Sequence, residues 1–417
     1  MKKVSIIIPV KNEENYIERC LEQLVNQTYP TDKTEILVID GMSTDRTREI
    51  VKKFVTKGRK LEVSGWRSET RGQGREVESE RLEVKENKPQ TSNLKHLPVI
   101  RLIDNPKGHR ASALNIGIKE ANGDVIMRID ARTVIAEDYI EKCVKTLIET
   151  GADNVGGMQK PIIKLEVGGE RLEAKETAPR TSNLRPQAFC LKTQTLTQTA
   201  IGMALSHPFG VGNAEFRLGR KSGFVDTVYL GCFRKEIFDK VGLFDEEAAV
   251  ISEDADMNYR IRKAGGKVYF NKDIVAYYYP RDSFKDLWKL YYRYGGAKAG
   301  NLLKRGSLTA WRQFIPPSFL LSLVVLPILA ITNSLFFYLW FMICSVYLGV
   351  DLVVSAAMAL KSRTVSTDKG EVSLSLKERL FLFPKLLSAF PIMHFSWAMG
   401  FWRRLLQRPK PGEYWGG

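Results

Sequence analysis

Asp130 closes a short apolar run, Val125-Ile126-Met127-Arg128-Ile129, and is followed by Ala131 and Arg132. A brief β-branched run reads as a buried strand, and an acid at its carboxyl end stands where open α/β sheets bind ligands. Two other strands make the same delivery. Glu35-Ile36-Leu37-Val38-Ile39 ends in Asp40, with Gly41-Met42-Ser43-Thr44-Asp45 after it, and Val4-Ser5-Ile6-Ile7-Ile8 leads into Pro9-Val10-Lys11-Asn12-Glu13. Carboxylates gathered at one sheet edge can serve a ribose, a base and a metal-bound diphosphate. Any one of them could instead cap the helix that follows it; three together favour a site.

The elements that position these acids need a large domain. At 417 residues the chain has room for one α/β unit and something smaller. Five scattered cysteines (Cys20, Cys143, Cys190, Cys232, Cys344) show no C-x-x-C spacing. That argues against a zinc site or a disulfide framework and suits a reducing compartment. Lys2 and Lys3 precede an apolar run broken by Pro9, which reads as a strand and not as a signal peptide. The formal net charge of +16 demands an anionic partner. No nucleic-acid motif is present, and an anionic membrane surface fits better because the C-terminal third is apolar.

From Phe314 to Leu360 only Asp351 is charged. Phe314 to Ile331 and Leu335 to Ala359 are each long enough to cross a bilayer. Basic residues flank the pair on both sides (Lys304, Arg305 and Arg312 before; Lys361, Arg363, Lys369, Lys377 and Arg379 after). The positive-inside rule makes this a hairpin with both flanks cytoplasmic. A further apolar stretch, Leu380 to Trp402, carries Lys385, His394, Pro384 and Pro391 and is followed by Arg403, Arg404 and Arg408. Crossing would place that basic tail outside. An interfacial segment with Trp397 and Trp402 at headgroup depth obeys the rule; a third span is the open alternative.

Taken in order, the motifs resemble family 2 inverting glycosyltransferases with the GT-A nucleotide-sugar-binding fold, and among them the membrane enzymes of succinoglycan-type exopolysaccharide assembly. The set begins with Ile6-Ile7-Ile8-Pro9-Val10-Lys11-Asn12-Glu13-Glu14 and a helix with Ile17, Leu21, Leu24 and Val25 on one face. It continues through Leu37-Val38-Ile39-Asp40-Gly41-Met42-Ser43-Thr44-Asp45 to Asp130. The resemblance implies that Pro9, Asn12 and Glu13 form the first nucleotide loop and that Asp40 reads the base. Asp45 would close that loop or cap the helix from Arg46, and Lys107, Arg110 and Asn115 would contact the donor or form a solvated basic loop. Asp130 matches the first acid of D-x-D and would hold Mg²⁺ or Mn²⁺. Arg132 replaces the second acid, and it could pair with a phosphate itself.

On the acceptor side the resemblance points to Gly210-Val211-Gly212-Asn213-Ala214 and to the stretch from Val225 to Arg234 that contains Gly231. In Ser252-Glu253-Asp254-Ala255-Asp256-Met257 it places the general base at Asp254, with Glu253 and Asp256 in support. Direct displacement needs a carboxylate opposite the leaving group to take the acceptor's proton; helix capping is the plain alternative for acids there. Trp288-Lys289-Leu290-Tyr291-Tyr292-Arg293-Tyr294-Gly295 resembles the Q-x-x-R-W region, with Leu290 and Tyr294 replacing Gln and Trp, and Arg293 kept to contact diphosphate or acceptor.

The expected architecture is an α/β GT-A domain over residues 1–300, built on a Rossmann-like mixed sheet. A two-helix membrane hairpin follows over 301–360, and then a cytoplasmic loop, an interfacial or third membrane segment and a basic tail over 361–417. The expected reaction is sugar transfer from a nucleotide-sugar, a UDP-sugar above others, to a lipid-linked glycan. It would take place at the cytoplasmic face of the inner membrane, with membrane lipids as further partners and no nucleic acid. Two rivals are a polyprenyl-phosphate sugar transferase and a membrane scaffold with a vestigial site.

Two related segments interrupt the α/β pattern. Arg81-Leu82-Glu83-Val84-Lys85-Glu86 with Thr91-Ser92-Asn93-Leu94-Lys95 returns as Arg171-Leu172-Glu173-Ala174-Lys175-Glu176 with Thr181-Ser182-Asn183-Leu184-Arg185. Both copies are polar and charged, so neither can bury enough surface to fold alone. They read as one element inserted twice into surface loops, at about 59–96 and 164–187; a repeated partner-binding arm is the rival. Deleting roughly residues 59–96 should leave glycosyl transfer intact, measured on purified enzyme. A folded but inactive deletion would overturn the insertion reading.

Overall fold

In this computed structural model the acid-bearing strands are neighbours in one sheet. It describes residues 1–65, 97–162, 196–246, 253–306, 311–362, 364–367 and 370–407. Strands β1 (Val4–Val10), β2 (Thr34–Asp40), β3 (Val99–Asp104) and β4 (Val125–Arg128) run parallel, β1 lying between β2 and β4, and β3 flanking β2. The sheet is completed by β5 (Val134–Ile135), β6 (Asn154–Pro161), β7 (Gly223–Phe224), β8 (Tyr229–Arg234) and β9 (Val268–Tyr278). Their order is β3-β2-β1-β4-β8-β6-β9-β5, with β7 paired to β9. Antiparallel β8 beside β4 makes the sheet mixed, as a Rossmann-like mixed sheet requires.

Alternation along β1 explains its continuous apolar run. Ile6 and Ile8 pack into one core with Ile17, Leu21 and Leu24 of α1 (Ile17–Val25), while Ile7 points into the other with Leu114 and Ile118. Both faces are covered, so neither set of positions can be polar. Helix α2 (Thr47–Gly65) runs on into the first inserted segment. The remainder of both inserted segments lies outside the described residues. Helices α3 (Arg110–Glu120) and α4 (Tyr139–Thr150) cover opposite faces, and α5 (Leu196–Ala204), α6 (Pro208–Val211), α7 (Glu215–Leu218) and α8 (Ile237–Val241) follow. Helix α9 (Glu253–Lys263) buries Met257 and Ile261, one turn apart, against the second core.

Four long helices finish the chain: α10 (Phe284–Arg305), α11 (Ile315–Leu329), α12 (Ser334–Lys361) and α13 (Leu376–Leu406). Among the described residues three segments are long and apolar enough to cross a membrane: Arg312–Leu329, Ser334–Lys361 and Leu376–Leu406. The last is one unbroken helix despite Pro384 and Pro391, and it packs along α10 and α5. A domain boundary at residue 300 therefore falls inside α10. Lys385 Nζ donates to Thr197 Oγ1 (2.8 Å), and Trp402 Nε1 donates to the Pro317 carbonyl (2.9 Å). These bonds tie α13 to α5 and to α11.

Glycines let α10 and α13 touch backbone to backbone. A Cβ on Gly295 would lie 1.8 Å from the Trp397 carbonyl oxygen, and one on Gly400 would lie 1.9 Å from that of Tyr292. No side chain fits there. Gly295→Ala should destabilise the protein by roughly 1–3 kcal/mol or more through overpacking. Gly349→Ala on α12, where a Cβ meets nothing within 4 Å, should be neutral or gain up to about 1 kcal/mol from helix propensity. Thermal unfolding in detergent compares the two.

Candidate active site

The turn after β1 and the loop after β2 are built as one unit. Asn12 adopts φ 55°, a left-handed conformation that Asn tolerates better than most residues. Its N–H donates to Ser43 Oγ (2.9 Å), and its Oδ1 accepts from the Thr44 N–H (2.8 Å). The Glu13 N–H donates to Thr47 Oγ1 (2.8 Å). The Glu13 carboxylate takes Arg132 Nε at 2.9 and 3.1 Å, and the Arg132 guanidinium lies 5.0 Å over the Tyr16 ring. Burial raises the Glu13 pKa above the ordinary carboxylate value despite that pairing.

At the centre sits Arg128, a residue only 5% exposed on β4. Its Nε and Nη2 donate to the two oxygens of Asp130 (2.9 and 3.1 Å), and its Nη1 donates to Glu253 Oε1 (2.9 Å). Arg110, at the start of α3, approaches the same Glu253 oxygen at 3.4 Å. Burial pushes the Asp130 pKa upward, but Arg128 and Arg110 outweigh it and hold the value below the usual range. Asp254 opens the first turn of α9 and accepts the Ala255 N–H at 2.8 Å. Burial and then the neighbouring Glu253 charge raise its pKa. Lys298 of α10 is held within electrostatic range of Asp254, Asp226 and Arg312, and burial lowers its pKa. Arg312, where the first candidate span begins, pairs with Asp226 at 2.6 Å.

This arrangement can bind an anionic ligand among guanidinium groups while offering a carboxylate of raised basicity beside it. It also bears on metal binding. Among the described residues no three His, Cys, Asp or Glu side chains gather to hold an ion. Arg128 uses one lone pair on each Asp130 oxygen, leaving about two positions clear, and the side chain is 22% exposed. One carboxylate suffices where substrate phosphates complete the shell. The residues fit an ion shared with substrate, and not one caged by protein.

A family model for glycosyl transferase family 2 matches residues 5–75 and 90–203, stepping over 76–89 within the first inserted segment. A second, for glycosyl transferase family group 2, matches residues 216–356. The chain is a family 2 glycosyltransferase. It is 27% identical over 408 residues to the succinoglycan biosynthesis protein ExoA of Rhizobium meliloti, covering 96% of this chain and 94% of the relative. It is 25% identical over 390 residues to a dolichyl N-acetyl-α-D-glucosaminyl phosphate 3-β-D-2,3-diacetamido-2,3-dideoxy-β-D-glucuronosyltransferase of Methanococcus voltae, covering 93% and 95%. A mannosyltransferase of Pyrobaculum calidifontis, solved with GDP-Man and Mn²⁺, matches in fold. The TM-score is 0.50 at 16% identity, over 98% of this chain and 88% of that one.

In this glycosyltransferase the residues singled out from sequence divide into two groups. Pro9, Asn12, Glu13, Asp130, Arg110, Glu253 and Asp254 converge on the edge formed by β1, β4 and α9. The others are engaged elsewhere. Asp40 is fully buried under Ser43 and Arg48, with no surface left for a base. Asp45 accepts the Thr47 and Glu14 N–H groups, capping α2 and fastening the loop. The Asn115 amide is spent on the N–H and carbonyl of Phe244 and on Glu246, and Lys107 pairs with Glu246 at 2.6 Å. Asp256 is buried and ion-paired to Arg260, which also clamps the carbonyls of residues 241–243. Gly231 (φ 80°) shapes β8, where a Cβ would strike the Phe233 ring. Arg293 is exposed on the outer side of α10.

Sequence reading missed Arg128 and Lys298. An arginine inside an apolar strand must find buried counter-charges, and that was the available signal for Arg128. Lys298 falls at helical spacing from the buried Tyr291 and from Tyr294, so all three share a face of α10. Arg128→Met should leave buried Glu253 and part-buried Asp130 without their shared partner and cost about 3–5 kcal/mol of stability. Arg293→Ala should stay within about 0.5 kcal/mol. Unfolding by denaturant, read in parallel on the two variants, checks both.

Proposed function

We propose that this glycosyltransferase moves one sugar from a UDP-sugar to a lipid-linked glycan with inversion at the anomeric carbon. The observation that carries the reading is Asp254, a carboxylate of raised basicity at the rim of a cluster of guanidinium groups. The acceptor hydroxyl gives its proton to Asp254 as it attacks. Arg110, and Arg132 once released from Glu13, face the departing diphosphate, while Arg128 fixes Asp130 and Glu253. A divalent ion, Mg²⁺ or Mn²⁺, would be held by Asp130 together with the donor phosphates and would neutralise the leaving group. The M. voltae relative, whose name describes a dolichyl-phosphate-linked acceptor, supports a lipid-linked glycan as substrate, and the R. meliloti succinoglycan protein supports a place in exopolysaccharide biosynthesis.

The hairpin of α11 and α12 would anchor the enzyme in the inner membrane with the catalytic domain in the cytoplasm. Confinement to the bilayer raises the effective concentration of a lipid-linked acceptor. Arg312 and Lys298 then stand where the first span meets the site, between the lipid headgroups and Asp254. They would face the acceptor's phosphate.

Donor turnover tests the proposal, with purified protein in detergent, UDP-, GDP- and TDP-sugars, Mg²⁺ or Mn²⁺, and membrane lipid extract. Asp254→Asn should lower transfer by about 10²–10⁴-fold while nucleotide binding persists, and chelation should abolish turnover. The base works only when ionised, and its pKa is raised. Activity should therefore fall as pH drops through a midpoint above the ordinary aspartate value of about 3.9. Absence of turnover with every donor would favour the vestigial scaffold.

A further inference from the structure

The stretch Gly210–Ala214, expected on the acceptor side, follows a residue whose carbonyl is held by the apolar helices. His207 Nδ1 accepts the Phe209 N–H (3.2 Å) and caps α6. The Phe209 carbonyl accepts from His394 Nε2 of α13 (2.8 Å), and the other ring nitrogen, Nδ1, lies 2.9 Å from the Tyr347 hydroxyl of α12. A carbonyl oxygen can only accept, so the ring proton sits on Nε2. The neutral ring then accepts at Nδ1 from the Tyr347 O–H. Both bonds run in one direction, from α12 through α13 to the loop.

Aromatic rings close the joint. The Phe209 ring meets those of Phe390, His394 and Tyr347 at 5.0, 5.1 and 5.8 Å between centroids, and Phe319 of α11 stacks on Tyr347 at 4.6 Å. The far side of the segment reaches the catalytic edge. Gly212 takes φ 64°, and a Cβ there would lie 3.4 Å from Cδ of Arg312, the partner of Asp226. Helix α7 follows directly. Its Arg217 donates to the Tyr278 hydroxyl (3.0 Å) and lies 5.6 Å over that ring. Tyr294 stands in the field of both Arg217 and Asp254. Residues 207–217 are therefore a strut from the apolar helices to the candidate base.

We infer that His394 is a positioning residue for sugar transfer: by holding the Phe209 carbonyl it seats the 207–217 strut beside Asp254 for a membrane-bound acceptor. The inference rests on the lipid-linked acceptor proposed above. Both ring nitrogens have partners in part-buried surroundings, where losing the ring leaves a carbonyl and a hydroxyl unpaired. Phe is close to His in size and can make neither bond. Gln carries an N–H and a C=O at similar separation and can make both.

Kinetics on the full chain in detergent test it, with membrane lipid extract titrated as acceptor against a UDP-sugar and UDP binding followed by calorimetry. His394→Phe should raise the apparent KM for the extract about tenfold, while UDP affinity stays within about twofold. His394→Gln should bring that KM back to within about twofold of the wild type. Hydrogen exchange at the backbone amides of residues 207–217 should quicken in the Phe variant and slow again in the Gln variant. Tyr347→Phe, which removes one hydroxyl, should raise the KM about threefold and keeps the comparison available if His394→Phe does not fold. Unchanged KM and exchange in both Phe variants, a Gln variant as impaired as His394→Phe, or a parallel loss of UDP affinity would overturn the assignment while sugar transfer stood. Absence of turnover by the wild type with every donor would overturn the transfer reading and this inference together.

Discussion

The Arg128 guanidinium, buried between Asp130 and Glu253, is the interaction on which the site depends. Removing a charge from water is costly, and mutual attraction repays it only when the geometry is good and the remaining hydrogen bonds are made. Here one side chain makes three such bonds to two carboxylates. The result joins β4, which leads into Asp130, to α9, which carries Glu253 and the candidate base Asp254. Neither element can shift without leaving an acid of this cluster unpaired, so the two are held in one geometry.

Charge around that contact is graded. Asp130 is kept ionised by its arginines, whereas Asp254, next to another acid and sheltered from water, is made a stronger base. Two carboxylates in one cluster thus acquire opposite proton affinities from their surroundings alone. Lys298 and Arg312 supply positive charge from the side on which the apolar helices begin. The catalytic edge and the candidate membrane segments are one electrostatic unit. The glycine contacts set how closely α10, which carries Lys298, lies against α13.

Much of this was legible in the chain. Parallel strands buried on both faces leave continuous apolar runs, so β1, β2 and β4 declared themselves, and with them the acids at their ends. The long uncharged stretches marked α11 and α12 to within a few residues. What escaped was decided by partners distant in sequence. Asp40 looks like an exposed loop acid until Arg48 and Ser43 cover it; Asn115 looks like a donor contact until Phe244 takes its amide; Arg293 matches a motif and is exposed on its helix. Helix α2 runs on through Gly58 into the inserted segment, since a single interior glycine costs a helix only about 1 kcal/mol.

By itself the sequence determined the class of sheet, the edge at which the site lies and the family chemistry, because periodicity and strand-end acids are local properties. Tertiary structure alone decided which acids are presented and which are consumed. A carboxylate's role follows from the charges and water it meets, and those are set by residues 125 positions apart, as with Arg128 and Glu253. Asp40 and Asp104 differ in the same way. Both stand at strand ends, and only the fold leaves one of them uncovered.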